Sequence, residues 1–65
     1  MLTPREAEIA VFVVMGRPAK RIAALLNLSV HTVEKHIENA AAKLPNPEKL
    51  PARGVIVSWM AKQAA

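Results

Sequence analysis

Cysteine is absent from these 65 residues, and so is aspartate. Without thiols the chain has no disulfide, no thiolate metal ligand and no cysteine nucleophile. A chain this short buries only about 60% of its unfolded surface, so apolar packing, with or without a partner chain, has to hold it together. With no aspartate, five glutamates stand against nine Lys and Arg, a net charge of +4. Such an excess suits a polyanionic partner, yet a ribosomal protein, a membrane-surface peptide or a DNA binder would all fit it. Long hydrophobic runs are missing too. The longest, Ile9 to Met15, falls far short of the ~20 apolar residues that span a bilayer. Arg5, Glu6 and Glu8 break up any signal-peptide core. A cytoplasmic protein with no membrane partner is the default.

Catalytic groupings are equally scarce. There is no Ser-His-acid set, no glycine-rich phosphate cradle and no paired carboxylate, so no enzyme, cofactor or small-molecule ligand is expected. His31 and His36 lie five apart, about 500° around a helix axis, and do not share a face as metal ligands would. Repeats and low-complexity tracts are absent. The proline-rich stretch Pro45 to Pro51 reads as a connection within a single domain of residues 1–65. Because the first helix starts almost at residue 1, no receiver or ligand-sensing domain is expected ahead of it.

Hydrophobic residues make up 52% of the chain, ample for a core at this size. Their punctuation predicts four helices and an all-α fold. Thr3-Pro4-Arg5-Glu6 combines a capping hydroxyl, a proline suited to the first helical position and a glutamate that completes a capping box. The first helix then covers about 4–15, ended by Gly16 and Pro18. The β-branched run at 11–14 would suit a strand, but the capping box and the lack of a pairing strand favour helix. A second helix spans 19–26, with Ile22, Ala23, Leu25 and Leu26 as its apolar positions and a weak, proline-occupied start. Asn27 can take left-handed geometry, Leu28 points inward and Ser29 caps a third helix of 30–44, ended by Pro45. Two helices joined by a three-residue turn with a hydrophobic centre match the helix-turn-helix pattern. A fourth helix covers 52–63, although Gly54 weakens it and Val55-Ile56-Val57 would also suit a strand.

These segments together resemble the LuxR/GerE-type helix-turn-helix of bacterial transcription regulators. Leu2-Thr3-Pro4-Arg5-Glu6 looks like that family's opening, and Ile22-Ala23 like its helix-two Ile-Ala. Ser29-Val30-His31-Thr32-Val33-Glu34-Lys35-His36 is similar to its Ser-x-x-Thr-Val-x-x-His stretch, with Asn39 and Lys43-Leu44 closing that helix. The likeness is good over Leu2 to Leu44 and loose over Arg53 to Met60. It implies a third helix that enters the major groove of double-stranded DNA, a fourth that often makes a two-fold dimer contact, and control of transcription in a bacterium or phage. Three positions and one loop depart from the pattern. Arg21 replaces an acidic residue, Pro18 a capping Ser or Thr and Ala40 a larger apolar residue, and the loop after Leu44 is longer.

On the third helix Val30, Val33, Ile37, Ala40, Ala41 and Leu44 share one face, expected to be core. The opposite face carries His31, Glu34, Lys35 and Glu38, the candidates for base contact. Lys35 can donate to guanine, and either glutamate can accept from the cytosine amino group. The bland alternative is a solvated face of local ion pairs. Arg17, Lys20, Thr32, His36, Asn39 and Lys43 are the candidates for phosphate contact. On the first helix Ile9, Phe12, Val13 and Gly16 form the expected core stripe, which leaves Ala7, Val11, Val14 and Met15 as an apolar surplus. Val11 and Met15, with Val55, Ile56, Trp59 and Met60 from the fourth helix, are the candidates for a homodimer or partner-protein interface. Two rival readings stand beside this one: a promoter-binding module like region four of a sigma factor, and a helical adaptor that kept the fold but lost DNA.

Overall fold

The structure, a computed structural model, describes residues 1–64, with the side chain of Ala64 left out. It contains four helices, α1 (Pro4–Val14), α2 (Ala19–Leu26), α3 (Val30–Ala42) and α4 (Ala52–Ala64). Among the described residues there is no strand. α3 lies at the centre and packs against each of the other three, and α1 also packs against α4.

α1 starts as its sequence dictates. Glu6 N–H donates to Thr3 Oγ1 at 3.1 Å while Thr3 N–H donates to Glu6 Oε1 at 2.9 Å, so two otherwise orphaned amides satisfy each other's side chains. Its end is a Schellman motif. Gly16 sits at φ +83°, its N–H bonded to the Val13 carbonyl, and Arg17 N–H reaches back to Phe12. A left-handed φ suits glycine, which is why the helix stops at Val14, one residue short of the expected Met15. α2 has no side-chain cap at Pro18. An uncapped helix of eight residues gains little from propensity, so packing of Ile22 and Ala23 on α3 holds it. Asn27 turns the chain at φ 57°. Ser29 then caps α3, accepting from Thr32 N–H at 3.0 Å.

Toward its end α3 tightens. Lys43 and Leu44 N–H bond three residues back, to Ala40 and Ala41, and Pro45 disfavours helical geometry at Leu44. The regular helix therefore ends at Ala42, not at Leu44. Asn46 staples the connection that follows: its side chain donates to the Leu50 carbonyl at 2.9 Å and accepts from Leu50 N–H at 2.8 Å. α4 is a helix throughout, reaching one residue past the expected 63. Gly54 has a use there, because a Cβ on it would stand 3.3 Å from that of Leu50.

Ile9, Ala10 and Val13 of α1, Ile22 and Ala23 of α2, Val33, Ile37 and Ala40 of α3, and Ile56 of α4 form the buried cluster. Leu28 and Phe12 pack against it half-buried. Three expected core positions turn out otherwise. Val30 at the first position of α3 is 39% exposed and Leu25 is 50% exposed, each at the edge of the packed layer. Gly16 faces solvent in the loop.

Candidate nucleic-acid interface

The exposed side of α3 is where the helical period leaves it, opposite Val33, Ile37 and Ala40. His31, Glu34, Lys35 and Glu38 are all exposed. None of the four takes part in an ion pair or side-chain hydrogen bond among the described residues. The local pairing that would neutralise such a face is therefore missing, and one ammonium, two carboxylates and an imidazole stand free beside one another. The flank is more varied. Asn39 is exposed, while His36 and Thr32 are half-buried, and Thr32 Oγ1 accepts from the Ser29 hydroxyl at 2.8 Å.

The turn before α3 brings α2 alongside. Arg17 and Lys20 are exposed at its start. Arg21 and Ile22 N–H bond to the Pro18 carbonyl, while no backbone or side-chain acceptor takes the amides of Ala19 and Lys20 among the described residues. Two N–H groups and the positive end of the helix dipole thus stand beside two cations. Such an end suits a phosphate.

Lys43 has a partner that the expectation did not include. Its Nζ donates to Glu6 Oε1 at 2.7 Å while its side chain stays 39% exposed, so it is tied to α1 without being closed to solvent. Glu6 is the partner that sequence reasoning missed, having been read as a cap alone. It is 5% exposed, and its register announced this: Glu6, Ile9, Ala10 and Val13 follow the i, i+3, i+4, i+7 stripe that faces the core. A carboxylate on that stripe requires a cation. The Lys43 hydrogen bond, then the Thr3 amide, hold the Glu6 carboxyl below its ordinary 4.5, against the opposing effect of burial. A carboxyl with a lowered folded value stabilises the fold above its unfolded value and loses that contribution as pH falls through the folded one. Thermal melts should accordingly be flat for this group from pH 7 to 5 and fall at more acid pH. Glu6→Gln should melt lower at pH 7 and show a smaller drop between pH 5 and 3. An unchanged acid limb in Glu6→Gln would refute the linkage.

The apolar candidates divide. Val11 and Met15 are 47% and 57% exposed, whereas Val55 at 3% and Ile56 at 0% are buried in this chain's own core and offer nothing to a partner. Trp59 and Met60 are half-buried. With Leu2, Val11 and Leu44 they line a groove of about 600 Å³ between α1 and α4.

A central helix with a free polar face, preceded by a short uncapped helix and a tight left-handed turn, defines a helix-turn-helix protein. The chain matches the family of bacterial regulatory proteins named LuxR, the GerE domain, over residues 1–51. It belongs to that family, and with it to the helix-turn-helix domains that bind DNA in transcription regulation. No curated protein and no solved structure matches it. No helix among the described residues is long and apolar enough to cross a membrane.

Proposed function

We propose that α3 lies in the major groove of double-stranded DNA and reads base edges with His31, Glu34, Lys35 and Glu38. The observation that carries this reading is the free, exposed state of all four on one face. Lys35 donates to guanine O6 and N7. Glu34 or Glu38 accepts from a cytosine amino group, and both repel phosphates that bring no donor, which sharpens selection at the expense of nonspecific affinity. Arg17, Lys20 and the amides that open α2 hold the backbone on one side, with Asn39, His36 and Thr32 along the other. The chain acts in this way in a bacterial cytoplasm, as a regulator of transcription.

Two copies pair across the exposed stripe of α1 and the groove wall formed by Trp59 and Met60, so that two α3 helices meet an inverted repeat. Sedimentation at high micromolar concentration tests this part: a dimer that Trp59→Ala dissociates supports it, and a strict monomer removes it.

The reading as a whole is tested by binding to a random duplex over a salt series. Each neutralised phosphate contributes about −0.9 to the slope of log K against log salt. Arg17 and Lys20 alone give about −2 per chain. An adaptor that had lost DNA would show no such slope.

A further inference from the structure

Arg53, on the first turn of α4, lies beyond the residues that carry the family match. Its guanidinium Nη2 donates to the main-chain carbonyl of Arg17. That carbonyl is available because the loop uses its neighbours otherwise: Arg17 N–H closes the Schellman turn onto Phe12, and Pro18 brings the carbonyl that opens α2. Contacts between α2 and α4 are otherwise sparse, since α2 packs on α3. The hydrogen bond thus spans 36 residues of sequence and ties the start of α4 to the segment that delivers Arg17, Lys20 and the two free amides. Arg53 also shares a cleft of about 260 Å³ with Ala19, the first residue of α2, and with Glu34 and Glu38 of the reading face. α2, α3 and α4 therefore meet around this one residue.

We infer that Arg53 is a positioning residue for DNA: it holds the α1–α2 loop at the height that lets the start of α2 meet a phosphate while α3 is in the groove. Arg suits this task because its long, planar side chain can present an N–H donor to a carbonyl in fixed geometry. The inference rests on the DNA reading above. It assigns to α4 a part in shaping the phosphate grip in addition to covering the core.

Arg53→Ala tests it in the full chain, with a duplex selected from a random pool and a random duplex as probes. Affinity should fall about tenfold for both duplexes alike, because phosphate contacts carry no sequence information. The salt slope should shrink by roughly 1.8, the share of two phosphates lost with the loop, whereas direct contact by Arg53 alone would account for roughly 0.9. The amide resonances of Ala19 and Lys20 should move in the free protein. Arg53→Lys, which retains the charge and a donor, should recover binding to within about threefold, and Arg53→Met, which keeps the aliphatic stem but has no donor, gives the loss comparison if alanine unfolds the chain. Equal binding by Arg53→Ala and the parent overturns the inference alone, as does a slope loss of one contact with the two amides unmoved. A parent chain that binds neither duplex overturns the DNA reading beneath it.

Discussion

Replacing Ile22 with alanine lowers the stability of the fold by about 2–5 kcal/mol and moves the unfolding midpoint well down. Ile22 is fully buried, and its truncation removes both transfer energy and the contacts around the void. The site has little capacity to recover. α2 has eight residues and no side-chain cap, so nothing but packing keeps it helical. For 65 residues, a typical stability of about 0.05–0.15 kcal/mol per residue amounts to roughly 3–10 kcal/mol in all. The loss is therefore about half of the whole. Urea titration followed by far-UV circular dichroism checks it. A midpoint unmoved from that of the parent chain would mean that α2 is held by something other than its seat on α3.

The second large effect falls on binding. Lys35→Ala removes the sole ammonium on the reading face, and a good bidentate base contact is worth about 1–3 kcal/mol of discrimination, roughly 5- to 150-fold. The chain should lose that factor on its preferred duplex and far less on a random one. The two carboxylates left behind on that face then add repulsion without selectivity. Fluorescence anisotropy with both duplexes measures the ratio directly. An equal loss on both would make Lys35 a phosphate contact and leave base selection to other residues.

Much of the fold was legible because local signals agreed with one another. Thr3 and Glu6 form the capping box their spacing promises, Asn27 adopts the left-handed turn, and Ser29 caps α3. The apolar periods of α1 and α3 then place Ile9, Val13, Val33 and Ile37 inside. What failed was whatever depended on a distant partner. Val55 and Ile56 looked like surplus because the amount of surface α1 and α3 would offer α4 cannot be counted from one helix at a time. Lys43 looked free because its partner lies 37 residues away. Val30 has the right period for the core, but it opens its helix at the edge of the packed layer. Arg53 gave no local signal, since a guanidinium reaching a carbonyl in another loop leaves no spacing to read.

The reading face was legible for a different reason. His31, Glu34, Lys35 and Glu38 are defined by what α3 cannot bury, and the helical period alone settles that. The residues proposed to grip phosphates are set by turns and caps, and there the structure adds what pattern cannot. The amides of Ala19 and Lys20 have no acceptor among the described residues, and Lys43 is paired with Glu6. Cation counting treats every Lys and Arg alike, whereas the fold has divided them into those that hold the molecule together and those turned outward.

Amide chemical-shift mapping of the chain, with a selected duplex added, tests the location of the contact most directly. The account predicts that the largest shifts fall on residues 31 to 39 and on Ala19 and Lys20, with smaller ones along the groove between α1 and α4, where two copies pair. Shifts confined to Val11, Trp59 and Met60, with α3 silent at saturation, would contradict it.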